Sequence, residues 1–187
     1  MRTAVAIFPG SNCDRDMAVA IKKITGKSPL KLWHKDTEAP NLDLIVIPGG
    51  FSFGDYLRCG ALAARSPIIK NIKNHISRGG ALLGVCNGFQ ILIEANILPG
   101  SLVRNKKLLF TCRETTLEVQ DSIQSPFLSS FNTGDCLNIP VAHNEGNYIA
   151  NNELLKELEN NGRIAFKYKK SSEIETDYNP NGSLNDI

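Results

Sequence analysis

The sequence predicts an α/β protein: a central, mainly parallel sheet with helices on both faces, plus a small antiparallel extension. Three observations predict it. Short apolar runs alternate with stretches of helical periodicity through the first half of the chain. The apolar runs end in glycine- or proline-bearing turns, at Pro9-Gly10, Pro48-Gly49-Gly50 and around Gly84. After Ala95 the texture changes to shorter, alternating segments, as in antiparallel strands.

In order, Thr3 to Phe8 is a first strand, apolar throughout and so buried on both faces. Pro9 to Asn12 turns the chain into a helix from about Asp14 to Ile24, with Met17, Ala20, Ile21 and Ile24 on one face and Thr25-Gly26 as its stop. Leu30 to Trp33 is a second strand, His34 to Asn41 a polar loop, and Leu42 to Ile47 a third strand. Asp55 is placed to cap a helix from Tyr56 to Ala64. Ser66-Pro67 starts another helix, with Ile68, Ile72, His75 and Ile76 as its buried stripe and His75 as a core-edge histidine. Ala81 to Val85 then reads as a buried, central strand and Asn87 to Ala95 as a helix. Further on, Leu102-Val103, Leu108 to Cys112, Thr116 to Val119 and Leu137 to Ala142 read as strands. Asn151 or Asn152 caps a helix to Asn160, and Arg163 to Tyr168 is a last strand.

Cys86 sits at the corner between the strand and the helix that follow Gly80, with Gly84 and Gly88 two residues to either side. This is the pattern of a nucleophile elbow. Glycine suits both positions because a side chain there would crowd the turn or the backbone beside it. A thiol at a helix N-terminus faces unpaired N–H groups and the positive end of the dipole, which favour thiolate. On that ground iodoacetamide is expected to label Cys86 ahead of the other cysteines. The Asn87 N–H points into the same space, and Gln90 follows one helical turn on. The bland alternative is a buried structural cysteine. Gly-x-Cys-x-Gly between a strand and a helix favours the nucleophile.

The glycine-rich loop Gly49 to Gly54 admits several readings. A phosphate loop wants Gly-Lys-Ser/Thr at its end, which is missing. A dinucleotide fingerprint belongs after the first strand, and this loop follows the third. A backbone N–H site for a small anion or an oxyanion, and a tight turn without chemistry, both remain.

With 187 residues the chain has room for one domain with a sizeable core. A formal net charge of +2 makes no case for nucleic acid or an anionic membrane. No apolar run approaches transmembrane length, and the apolar N-terminus is too short for a signal peptide, so the cytoplasm is expected. Five widely spaced cysteines with no Cys-x-x-Cys pair, and three unclustered histidines, argue against a disulfide framework or a metal site.

The run Gly84-Val85-Cys86-Asn87-Gly88-Phe89-Gln90, with Pro48-Gly49-Gly50-Phe51-Ser52 upstream, resembles the class I (triad-type) glutamine amidotransferases. Phe8-Pro9-Gly10-Ser11-Asn12-Cys13-Asp14, Gly50 to Arg58 and Ala142-His143-Asn144-Glu145-Gly146 are similar to the glutaminase subunits of phosphoribosylformylglycinamidine synthases, enzymes of de novo purine synthesis. The likeness runs to Tyr178-Asn179-Pro180-Asn181-Gly182-Ser183. It implies a flavodoxin-like fold and a single glutamine amidotransferase domain over residues 1–187. Cys86 is then the nucleophile that takes glutamine to a thioester, the backbone N–H groups of Gly50 and Asn87 form the oxyanion hole, and Gln90 helps hold the substrate. No metal or cofactor is expected in this chain. ATP and magnesium belong to a partner synthetase subunit that receives the ammonia, and a small accessory subunit is a further partner.

One departure stands out. The family's triad is completed by a His-x-Glu pair in a Pro-His-Pro-Glu segment, and these residues contain no such segment. The expectation is that the family's C-terminal segment is lacking, that a sheet edge is left to be covered, and that the chain as given is a weak glutaminase or an inactive one. His143-x-Glu145 is a different feature of the family and does not take the triad role. Two other functions compete: a truncated relative that only binds the synthetase, and a flavodoxin-like cysteine protein of chaperone or deglycase type. The Gly-x-Cys-x-Gly-x-Gln run and the Gly-Gly-Phe-Ser loop favour the glutaminase.

Overall fold

The computed structural model describes residues 1–121 and 125–187, which form two compact units, 1–98 and 99–187. The first unit carries β1 (Thr3–Ile7), α1 (Asp14–Thr25), β2 (Leu30–Trp33), β3 (Leu44–Ile47), α2 (Ile68–Ser77), β4 (Ala81–Gly84) and α3 (Asn87–Glu94). Its four strands are all parallel, in the order β2-β1-β3-β4. Side-chain alternation gives each face its own helices. Ala4, Ala6, Ile45 and Ile47 are buried with Ile68 and Ile72 of α2 and Ile91 and Leu92 of α3. Val5 and Val46 are buried on the other side with Ile21 and Met17 of α1. Covering both faces is why β1 and β3 read as unbroken apolar runs. Each fully buried isoleucine contributes about 1.5–3 kcal/mol of transfer free energy.

Three expectations for this unit are corrected. Residues 56–64 do not form a helix: a four-residue 3-10 turn spans Ser52–Asp55 and a short one spans Ala63–Arg65. The backbone explains it. Asp55 and Leu57 lie in the left-handed region at φ 54° and 72°, and Tyr56 between them is extended. Gly60, at φ 82°, lies so close to α3 that a Cβ there would stand 2.8 Å from the Ile91 nitrogen. In α2 the buried face is Ile68, Ile69, Ile72 and His75, while Ile76 lies at the exposed margin. His75 is a core-edge histidine, its Nε2 2.8 Å from the Ala81 carbonyl. Finally, β4 is not central. It pairs with β3 alone among the described residues and is only half-buried.

The second unit is antiparallel. β5 (Ser101–Val103) pairs with β8 (Asn147–Ile149), and β6 (Thr111–Val119) lies between β7 (Cys136–His143) and β9 (Phe166–Tyr168). Leu108 to Phe110, expected as strand, is instead an exposed turn with Leu108 at φ 57°. β8 escapes a reading by pattern because it has only three residues. α4 (Asn152–Asn160) is capped by Asn151, whose Oδ1 accepts the Leu154 N–H at 2.8 Å, and it buries Leu155 and Leu158. No described helix is long and apolar enough to cross a membrane.

The closest approach of a glycine to backbone in the first unit is at Gly88, where a Cβ would stand 2.1 Å from the Ile47 carbonyl oxygen. Gly88→Ala is therefore expected to cost about 2–3 kcal/mol or more, the scale of an overpacked core. Gly26, at φ 73° with open space around it, should cost only the left-handed penalty of about 1 kcal/mol when changed to alanine. Urea unfolding of the two variants measures the difference, and equal losses would refute the packing account.

Candidate active site

Cys86 occupies a left-handed corner, φ 52° and ψ −112°, between β4 and the first residue of α3. For a residue with a side chain this conformation costs about 1–3 kcal/mol, so the surroundings must hold it. They do so through the flanking glycines. A Cβ at Gly84 would stand 2.6 Å from Leu92 Cδ1 and 2.9 Å from the Gly88 carbonyl carbon. With Gly88 against Ile47 as well, the start of α3 is pressed onto the ends of β3 and β4. The Phe89 and Gln90 N–H groups donate to the Cys86 carbonyl at 2.9 and 3.1 Å. Cys86 itself is exposed.

The glycine loop after β3 packs against this corner. A Cβ at Gly49 would lie 3.4 Å from Cys86 Cβ and 3.5 Å from Cys13 Sγ. Gly50, at φ 139°, has no room for a side chain beside the Asn12 nitrogen, which would be 2.7 Å away. The loop after β1 braces it: Phe51 N–H donates to the Gly10 carbonyl at 3.0 Å and Phe53 N–H to the Pro9 carbonyl at 2.6 Å. Loops after β1, β3 and β4 thus converge at the carboxyl ends of the strands, where open α/β sheets bind ligands. A 3-10 turn, not a helix, follows the loop, which removes the phosphate-loop reading.

Among the described residues neither the Gly50 nor the Asn87 N–H has a backbone acceptor. The Asn87 N–H instead faces the Cys86 thiol. The Asn87 side chain is buried; its Oδ1 accepts the Ser52 N–H at 3.1 Å, and its Nδ2 donates to Asp55 Oδ1 at 3.1 Å and Gln90 Oε1 at 3.0 Å. Gln90, expected to face substrate, is buried and bonded to Asn87. Ser52, Asp55 and Cys13 join the site without having been singled out as site residues from the sequence. The signal for them was their nearness to glycine turns after strands.

The thiol's electrostatics differ from the sequence expectation. Desolvation pushes the Cys86 thiol above its ordinary value, the Asn87 N–H pulls it down, and the Cys13 thiol and Asp55 carboxylate push it up again. The residue is exposed, with its Cβ lying against Gly49. Cys112 and Cys136 are exposed as well. Two of the three histidines have hydrogen-bond partners. His34 Nδ1 lies 3.3 Å from Ser66 Oγ, and its ring meets Phe53 edge-on at 5.2 Å. His75 is bonded to Ala81. The ring of His143 packs on Gly146, and burial holds it below the ordinary histidine value. No cluster of three or more potential metal ligands occurs among the described residues.

Comparison with known proteins places this geometry. Residues 1–187 match the CobB/CobQ-like glutamine amidotransferase domain. The chain is 51% identical over 187 residues to the phosphoribosylformylglycinamidine synthase subunit PurQ of Rhizobium meliloti, covering 100% of this chain and 81% of that protein. It is 50% identical over 188 residues to the PurQ subunit of Brucella suis, with the same coverage. The structure of PurLQS from Thermotoga maritima superposes with a TM-score of 0.84 at 37% identity, covering 100% of this chain and 79% of that one. An elbow cysteine, the loop that flanks it and identity along the whole chain agree: this protein belongs to the CobB/CobQ-like glutamine amidotransferases, among the PurQ subunits of phosphoribosylformylglycinamidine synthase.

Proposed function

We propose that the chain is the glutaminase subunit of a cytoplasmic phosphoribosylformylglycinamidine synthase and hydrolyses glutamine at Cys86. The observation that carries this is the left-handed Cys86 corner packed against the Gly49-Gly50 loop. Cys86 Sγ attacks the carboxamide carbon of glutamine. The oxygen that gains charge accepts hydrogen bonds from the Gly50 and Asn87 N–H groups, each such donor being worth about 10²–10³ in rate. The thiol's proton passes to the amide nitrogen, the C–N bond breaks, and ammonia leaves a thioester behind. Water then cleaves the thioester, releasing glutamate and restoring the thiol. Gln90 supports this site through Asn87. The ammonia passes to a synthetase subunit that binds ATP and magnesium and aminates formylglycinamide ribonucleotide. A small accessory subunit completes the assembly, as the PurLQS complex suggests. Phe51, Tyr56 and Leu57, apolar and exposed beside the site, suit a partner's cover.

Three outcomes are expected. First, a diazoketone analogue of glutamine should label Cys86 stoichiometrically, and glutamine should protect against it. Peptide mapping reads the site; label spread over Cys112 and Cys136 without glutamine protection would sink the reading. Second, removing the Asp55 charge should lower the Cys86 thiol pKa, because that carboxylate raises it. Asp55→Asn should therefore move the midpoint of the alkylation-versus-pH curve of Cys86 to lower pH, and a shift upward would contradict the assigned charge effect. Third, glutamine hydrolysis by the isolated 187 residues should be slow, since they contain no Pro-His-Pro-Glu segment, and His143→Ala should leave it unchanged. Fast hydrolysis abolished by that substitution would make His143 the base.

A further inference from the structure

The loop that carries the Gly50 N–H is an improbable conformation by itself. Phe53 and Asp55 both have φ 54° and Leu57 has φ 72°, three non-glycine residues in the left-handed region within five positions. Each costs on the order of 1 kcal/mol or more, so external contacts must impose the shape. One set comes from the β1 loop, through the Pro9 and Gly10 carbonyls. The other comes from the elbow, through a single side chain.

That side chain is the carboxamide of Asn87, only 1% exposed. Its oxygen accepts the Ser52 N–H, two residues beyond Gly50, at 3.1 Å. Because a backbone N–H can only donate, this bond also fixes which end of the amide is which. Both amide hydrogens are then used, one on Asp55 Oδ1 at 3.1 Å and one on Gln90 Oε1 at 3.0 Å. The same residue thus presents its own N–H to the Cys86 thiol and holds the segment that presents the other donor.

We propose that the Asn87 carboxamide, as distinct from its backbone N–H, is a positioning residue that locks the Ser52–Asp55 segment to the elbow and so sets the Gly50 N–H at its working distance from Cys86. The proposal rests on the glutaminase reading above. It differs from that reading in what a substitution changes: any residue but proline at position 87 keeps the backbone donor, while the lock is lost.

The test is the kinetics of Cys86 inactivation by the diazoketone analogue of glutamine, which separates binding (KI) from the chemical step (kinact). Asn87→Ala should lower kinact about 10–100-fold, somewhat less than outright loss of an oxyanion donor, with KI within about threefold. Asn87→Asp keeps an acceptor for Ser52 but sets a carboxylate against Asp55, and should be at least as slow. Asn87→Asp combined with Asp55→Asn reverses the polarity of that bond, and an amide flip of Gln90 restores the third. This double variant should recover kinact to within about tenfold of the parent. Misfolding of the alanine variant would instead cut the fraction of chain that labels, and a merely structural role would not move kinact at unchanged KI. Asn87→Ala within about threefold of the parent, or a double variant no faster than Asn87→Asp alone, overturns the proposal. A parent chain that the analogue does not label at Cys86 would instead overturn the glutaminase reading.

Discussion

The approach of Gly88 to the Ile47 carbonyl governs this end of the sheet. With only 2.1 Å between that oxygen and the place a Cβ would occupy, the first turn of α3 lies directly on the end of β3. The chain leaving β4 must then reverse within two residues, which forces Cys86 into the left-handed region. The same contact brings the residues after Ile47 alongside the corner, and Gly49 is the residue that fits there. Cys86 and the glycine loop are neighbours because one helix is packed without clearance onto one strand.

Much of this was legible in the sequence, for physical reasons. Gly84 and Gly88 around Cys86 announce a turn that excludes side chains, and the structure gives each glycine a steric cause. The strands of the first unit could be read because burial on both faces leaves them uniformly apolar. What failed was the segment from Tyr56 to Ala64. Its composition tolerates a helix, but its conformation is dictated by Gly60 meeting the backbone of α3 and by Asp55 turning to Asn87. Contacts of that kind are long-range, and no local propensity encodes them. The position of β4 was illegible for a related reason. An apolar run reports that a strand is covered, not how many neighbours it has.

The second unit shows the other limit. Its turns are held by buried amides. Asn105 donates to the His143 carbonyl at 2.8 Å and accepts the Gly146 N–H at 3.1 Å, and Asn181 donates to the Gly146 carbonyl at 2.9 Å. Asn179 in turn holds Gly182 and Ser183 through its side-chain oxygen, at 2.8 and 3.1 Å. Each of these residues reads, locally, as an ordinary polar turn residue. Only the fold reveals that they satisfy backbone groups that burial would otherwise leave unpaired. His143 belongs to this framework, its ring lying over Gly146, which accounts for a histidine and a glycine three residues apart.

The thiol draws the two levels together. A helix N-terminus favours an anion by about 0.3–1 kcal/mol, and that argument alone makes Cys86 a ready thiolate. The folded site reverses the sign. Loss of water around the sulfur outweighs the Asn87 N–H, and Asp55, present because it is bonded to Asn87, adds a negative charge nearby. The corner therefore raises the thiol's pKa instead of lowering it. A thiol of higher pKa gives a more nucleophilic thiolate once its proton is taken, since nucleophilicity rises with basicity. The geometry thus fixes where the thiol stands, against the Gly49 loop, while burial works against its ionisation.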